Sequence, residues 1–288
     1  MTTNDTPKGD LRWDVLCATR PGLNRDLPPG TEDRMWVANA ATLIQGERDA
    51  VLVDTFLTAE HAKKLVDWVV ASGKNLTTIF VTHGHGDHFF GLAPLLERFP
   101  EARAVATPAV AEAMRGQLTP AWIDGFWQRL FPDQIPEKLL VADPIAGDLL
   151  DLEGHALNVV DTGRTDTAHS AVLHVPSIGL IVGGDVVYNG VHIYLSESDT
   201  ESRIEWIAAL DRLAALRPRA VVAGHKIPDN DDDPRRLAET QQYLRDFNRL
   251  DAATDDARQL YDAMLALYPE RINTGSLWAA ANKAKAPR

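Results

Sequence analysis

The chain becomes regular only after its first three dozen residues. Residues 1–10 are polar and read as a disordered tail, and residues 20–34, with Pro21, Gly22, Pro28, Pro29 and Gly30, read as a loop. Met35–Gln45 and Ala50–Asp54 are β-type runs, with Gly46 in the turn between them. Thr58 suits an N-cap, and Ala62, Leu65, Val66, Val69 and Val70 recur at helical spacing toward Gly73. A buried strand over Leu76–Thr82 comes next. A helix beginning soon after Asp87 runs through Gly91–Phe99, followed by a strand at Arg103–Ala106 and a helix from Pro108. Short strands return at Asp148–Leu152, Ala156–Asp161, Ser170–Val175 and Gly179–Gly183. A helix over residues 200–216, a strand at Ala220–Ala223 and helices beyond Pro234 complete the pattern. Two β-rich halves, each followed by helices, predict an α/β protein of layered αββα type.

Between the halves, residues 117–137 differ in texture. Trp122, Phe126, Trp127 and Phe131 cluster between Pro120 and Pro132, which reads as an inserted aromatic helical lid. The expected organisation is a tail and loop over 1–34, a main domain over 35–230, and a C-terminal helical extension over 231–288. The extension either packs on the main domain or forms a homodimer interface.

Charge narrows the partners. The 288 residues hold 29 Lys and Arg against 41 Asp and Glu, a net charge of −12. Binding phosphate backbones usually needs a basic face, so no nucleic-acid partner is expected. No run approaches the roughly 20 apolar residues that span a bilayer, and the polar N-terminus lacks a signal-peptide core. Cys17 is the single cysteine, which excludes an intrachain disulfide and a thiolate-rich zinc site. The expectation is a cytoplasmic protein acting on a small molecule, without a membrane partner.

The informative segment is Phe80-Val-Thr-His83-Gly-His85-Gly-Asp87-His88, directly after an apolar strand. Imidazole and carboxylate groups suit zinc, iron or manganese, and the interleaved glycines let the backbone fold closely around an ion. Of the other histidines, His61 is expected to be exposed on its helix. His155 and His174 lie in or beside strands without a ligand pattern, and His192 is a pocket-lining candidate.

The segment resembles the His-x-His-x-Asp-His signature of the metallo-β-lactamase superfamily, and later motifs extend the resemblance over roughly residues 35–230. Thr167-Ala-His169-Ser170, Gly183-Gly-Asp185 and Ala223-Gly-His225 stand in the family's order at predicted strand edges, and Asp54 matches its supporting aspartate after an early strand. One departure is visible. The family often has Gly-His-Thr-x-Gly-His-Ser where this chain has Arg164-Thr-Asp-Thr-Ala-His169-Ser170.

The resemblance implies a dinuclear hydrolase. His83, His85 and His169 would hold one ion and Asp87, His88 and His225 a second, with Asp185 bridging them. Two Zn2+ per chain are expected, with Fe or Mn as alternatives, and a metal-bound hydroxide attacks the substrate carbonyl. Asp87 and Tyr188 are the catalytic candidates. Tyr188, three residues after Asp185, matches a tyrosine of some lactone-cleaving members that serves as an oxyanion donor, although packing at a strand end explains it equally well.

Phe89, Phe90 and the aromatic segment hint at an apolar pocket, and Lys226 is either a contact for a substrate carboxylate or a solvated surface lysine. Diiron oxygen reductases, secreted β-lactamases and nucleases of the superfamily fit less well. The reductases usually have Glu where His85 stands and add a flavin domain. Many of the β-lactamases lack the bridging Asp and need an export signal, and the nucleases carry nucleic-acid modules. An esterase or lactonase is the expected function. A thioesterase of glyoxalase II type, a hydrolytic dehalogenase and a non-catalytic metal-binding protein are the alternatives.

Overall fold

The computed structural model describes residues 9–21 and 35–286. Most of the tail and loop read over 1–34 therefore lies outside the described residues. In chain order the elements begin with β1 (Arg12–Pro21), β2 (Met35–Gln45), β3 (Asp49–Val53), α1 (Ala59–Ala71), β4 (Asn75–Phe80), α2 (Gly86–Phe89) and α3 (Leu92–Arg98). Next come β5 (Arg103–Ala106), α4 (Pro108–Gln117), α5 (Pro120–Trp122) and α6 (Gln128–Leu130), then β6 (Asp143–Pro144), β7 (Leu149–Leu152), β8 (His155–Gly163) and β9 (Ser170–Val175). The last are β10 (Leu180–Val182), β11 (Tyr188–Asn189), α7 (Thr200–Ala215), β12 (Ala220–Val222), β13 (His225–Lys226), α8 (Arg235–Ala253), α9 (Ala257–Leu267) and α10 (Thr274–Lys285).

Two sheets form the centre. One runs β11-β13-β2-β3-β4-β5-β6 with β1 paired to β2, and the other runs β12-β10-β9-β8-β7. Ile44, Val51, Val53 and Phe80 of the first sheet share one buried apolar cluster with Leu157, Ala171, Leu173 and Val182 of the second. Helices cover the outer faces. Leu65 and Val69 of α1 pack on the first sheet with Leu95 of α3 and Met114 of α4. Trp206 of α7, Phe247 of α8, Met264 of α9 and Leu277 of α10 pack against the second sheet's Val172, Ile181 and Val221. The layering is thus helices, sheet, sheet, helices, as the alternation of strand and helix patterns implies.

Several readings change. Residues 12–21 form a long strand registered on β2, from Arg12 opposite Gln45 to Pro21 opposite Met35. Its tail-like composition hid it because Arg12, Asp14 and Arg20 interrupt the apolar run. The helix read through 91–99 is two short helices, α2 and α3, broken at Phe90–Gly91. A Cβ at Gly91 would lie 3.0 Å from the Thr55 side chain, so the chain turns there against the end of β3. His61 is buried, with its ring 6.2 Å from that of Phe56. Among the described residues, no helix is long and apolar enough to cross a membrane.

The fold positions the site by stopping strands at one rim. β4 delivers residues 81–88, the β8–β9 connection delivers 164–169, β10 delivers Asp185, and β12 delivers His225. Trp206 braces this rim from α7. Its ring is fully buried and its Nε1 donates to Val186 O at 2.9 Å. Trp206→Phe leaves that buried carbonyl unpaired and is expected to destabilise the protein by about 1–3 kcal/mol. A lowered denaturant midpoint at unchanged m value checks this. An unmoved midpoint would show that the bond to Val186 O contributes nothing measurable to stability.

Candidate metal centre

The segment after β4 is shaped by close approach. At Gly84 a Cβ would sit 2.7 Å from that of Ala113, so helix α4 can press against the turn only if position 84 lacks a side chain. The turn places His83, His85, Asp87 and His88 in the interior, each less than a tenth exposed.

Two groups of potential ligands converge. His83, His85, Asp166 and Asp185 form one and Asp87, His88 and His225 the other, with ligand atoms in each group within 4.8 Å of one another. In the first, Asp166 Oδ2 lies 3.1 Å from His85 Nδ1 and 3.5 Å from His83 Nε2. In the second, His225 Nε2 lies 3.6 Å, and His88 Nε2 3.8 Å, from Asp87 Oδ2. Asp185 stands between them. Its Oδ1 is 3.2 Å from His88 Nε2, and its Oδ2 is 3.0 Å from His225 Nε2 and 3.8 Å from His83 Nε2. Gly224 permits this, because a Cβ there would sit 2.6 Å from the Gly184 carbonyl carbon and also meet the Asp185 carboxylate.

The donor set fits divalent ions. Asp166 Oδ2 and Asp185 Oδ1 are buried and lack a hydrogen-bond partner among the described residues, although imidazole nitrogens lie close by. Buried carboxylate oxygens are seldom left so. Carboxylate oxygens and imidazole nitrogens that crowd one buried centre are arranged as metal ligands are.

The far sides of the rings are supported. Asp54 accepts from Thr82 N and Thr82 Oγ1, both at 2.8 Å, and its Oδ2 lies 3.0 Å from His88 Nδ1. Asp54 adopts φ 61°, a left-handed conformation that costs energy for a non-glycine and is held by these bonds. His83 Nδ1 is 3.0 Å from Thr82 Oγ1, and Asn39 Nδ2 donates to Asp87 Oδ2 at 2.9 Å.

The charges hold one another. Burial alone would raise the Asp185 carboxyl, but His225, His88 and His83 hold it well below the ordinary carboxylate range. Burial would lower His88, yet Asp185, Asp87 and Asp54 raise it well above the usual imidazole value. His83 is lowered, burial there outweighing the pull of Asp166 and Asp185. Burial and the neighbouring Asp185 charge push the Tyr188 phenol well up, so it stays a donor.

A narrow cleft, with room for only about 40 Å³ of solvent, opens beside these groups. His85, Asp87, Asp185 and His225 form its floor, with Tyr188, and Trp122, Phe126, Trp127 and Tyr194 form apolar walls. Trp122 ends α5, and Phe126 and Trp127 lie on a π-helical turn, Ile123–Trp127, between α5 and α6, anchored by Trp127 Nε1 donating to Gln117 Oε1 at 2.8 Å. Such turns recur at functional sites. Asn273 and Ser276, at the start of α10, close the other side.

The family model described as the metallo-beta-lactamase superfamily matches residues 34–225. The chain belongs to this superfamily. A hydroxyacylglutathione hydrolase from Synechococcus sp. (strain CC9902) is 31% identical over 182 residues, covering 61% of each chain. A protein of the same name from Parasynechococcus marenigrum (strain WH8102) is 28% identical over 170 residues, 57% of this chain and 55% of that one. The chain thus spans about three fifths of the length of the curated relatives it matches. Among solved structures, a metallo-beta-lactamase family protein from Thermus thermophilus aligns over 93% of this chain and 90% of that one, with TM-score 0.62 and 22% identity. The DIM-1 metallo-beta-lactamase aligns over 84% and 99%, with TM-score 0.60 and 17% identity. These structural likenesses establish the fold.

Against the ligand set that the superfamily resemblance implies, six of the seven residues come together and His169 does not. His169 is exposed, and Asp166 occupies the place expected for it. His169 lies in the loop just before β9 and faces solvent, whereas Ser170, the first residue of β9, is buried with its hydroxyl 2.8 Å from Thr165 Oγ1. Asp166 is oriented by Thr165 Oγ1, 2.9 Å from its Oδ1. The signal was present in the run Thr165-Asp166-Thr167, a ligand-type residue inside the loop rather than at the strand's edge.

Other candidates also move. Phe89 and Phe90 are fully buried in the core and do not line the cleft. His192 is buried, with Nδ1 3.0 Å from Tyr243 Oη, and is likewise absent from the lining. Lys226 is buried and paired with Asp232 at 2.5 Å, so it is neither a solvated lysine nor a group facing the cleft. Asn273, Ser276 and Tyr194 were missed, because a pocket wall built from distant loops leaves no local pattern.

Asp166→Ala is expected to lower the metal content of the protein, while His169→Ala leaves it unchanged. Elemental analysis after dialysis checks both. Loss of metal in His169→Ala alone would restore the histidine to the site.

Proposed function

We propose that the protein is a dinuclear metal-dependent hydrolase of small neutral esters or lactones. The observation that carries this is the juxtaposition of two His/Asp groups, joined through Asp185, with an aromatic cleft opening directly above them. In this reading His83, His85 and Asp166 would hold one divalent ion and Asp87, His88 and His225 the other, with Asp185 within reach of both. Zinc is the expected ion, and iron or manganese also suits imidazole and carboxylate donors. Bound in pairs, such ions polarise a carbonyl and make a solvent molecule nucleophilic near neutral pH.

The chain's own residues do the rest. Asp54 orients His88, and Asn39 orients Asp87. Trp122, Phe126, Trp127 and Tyr194 receive the apolar part of the substrate and exclude water. Tyr188 Oη donates to Asp185 Oδ2 at 2.9 Å from a cleft-lining position. Negative charge developing on a carbonyl oxygen above Asp185 can compete for that proton, which makes Tyr188 an oxyanion donor.

A second reading, thioester hydrolysis, is favoured by the relatives named hydroxyacylglutathione hydrolase. The cleft argues against a glutathione-sized anion. Among the described residues, no lysine or arginine lines it, and Lys226 is committed to Asp232. A carboxylate entering an apolar wall without a counter-charge is poorly compensated.

A panel of aryl esters, lactones and S-acylglutathiones, assayed before and after chelation and metal restoration, tests the assignment. Chelation is expected to abolish turnover and metal to restore it, with neutral substrates leading by about tenfold or more in kcat/KM. A lead for the glutathione thioesters would favour the second reading. Metal-loaded protein that cleaves none of the panel would overturn both. Tyr188→Phe is expected to lower kcat by about one to two powers of ten. Steady-state kinetics check this, and an unchanged kcat would leave the ring a packing role only.

A further inference from the structure

Each ring in the centre presents one nitrogen to the ligand groups, and the partner of its other nitrogen decides its orientation. His83 has Thr82, and His88 has Asp54. His225 Nδ1 has none among the described residues. His85 has a carboxylate that no metal motif contains: Glu197 Oε1 lies 3.0 Å from His85 Nε2. Glu197 comes from the segment before α7, 112 residues away in sequence. Its other oxygen, Oε2, accepts from Thr167 Oγ1 at 2.9 Å, and Thr167 adjoins Asp166. Tyr194 Oη reaches Oε1 at 3.4 Å, and the Tyr194 ring stands edge-on to His85 with centroids 5.5 Å apart.

We propose that Glu197 is the positioning residue of the first metal site, fixing the His85 ring so that Nδ1 faces the ion and tying the Asp166 loop to the cleft wall. The inference rests on reading the His/Asp groups as a metal centre. A neutral imidazole carries one proton, and a carboxylate at Nε2 keeps it there, leaving the Nδ1 lone pair for the ion. Nδ1 is the correct atom, since it lies 3.1 Å from both Asp166 Oδ2 and His83 Nε2. A carboxylate behind a ligating imidazole also raises its basicity, and removing such a partner typically costs about 10–100-fold in metal affinity. The two groups are then built alike, with Asp54 behind His88 in one and Glu197 behind His85 in the other. The Glu197 side chain is 28% exposed, so its removal does not open the core.

The test is calorimetric titration of the metal-stripped full-length chain with Zn2+, repeated with Co2+ to record the ligand-field spectrum. Wild type is expected to show two binding events. Glu197→Ala weakens one by about 10–100-fold, leaves the other in place and alters the cobalt bands of the weakened site. Glu197→Gln, whose amide oxygen can still accept from Nε2–H, recovers part of the loss and serves as the test should the alanine variant fail to fold. Two events of wild-type strength in either variant, with unchanged cobalt bands, would overturn the role of Glu197 while leaving the metal centre standing. A wild-type chain that takes up no ion would overturn the centre and the inference together.

Discussion

Four imidazoles and three carboxylates are buried at one rim of the molecule, with Asp185 placed where both groups can use it. Buried charge is costly unless it is paired or holds a metal, and this one constraint organises the surroundings. The strands stop where they do to deliver these side chains. Gly84 and Gly224 lack side chains because the turns must pass too close to α4 and to the backbone at Gly184. Asp54 tolerates a left-handed backbone because its carboxylate must meet both Thr82 and His88.

The alternation of strands and helices was readable because each half buries an apolar sheet under amphipathic helices, and period and length report that directly. The His83–His88 segment was readable because ligand-type residues interleaved with glycine seldom have another use. β1 escaped because charged residues break its apolar run, and its pairing with β2 is long-range. The short connection before β9 was misread at one residue. His169 looks like the ligand by residue type, but it faces solvent beside buried Ser170, and Asp166 inside the loop reaches the site. In short loops, side-chain direction decides more than side-chain chemistry.

The cleft shows the same limit. Its aromatic segment was visible as a local cluster, although Phe131 belongs to the core and, of the four aromatics, Trp122, Phe126 and Trp127 line the cleft. The contributions of Tyr194, Glu197, Asn273 and Ser276 depend on how the segment before α7 and the start of α10 fold back over the rim. No spacing rule predicts that. The character of the cleft therefore follows from tertiary placement: apolar walls, no lysine or arginine in the lining among the described residues, and a lysine that looked available but is held by Asp232.

The most direct test of the metal centre is anomalous diffraction from a crystal of the protein grown with zinc or manganese. Two peaks about 3.5–4 Å apart are predicted, one against Asp166 Oδ2 and the other against His225 Nε2, with Asp185 between them. A single peak, none, or a peak coordinated by His169 would contradict the account.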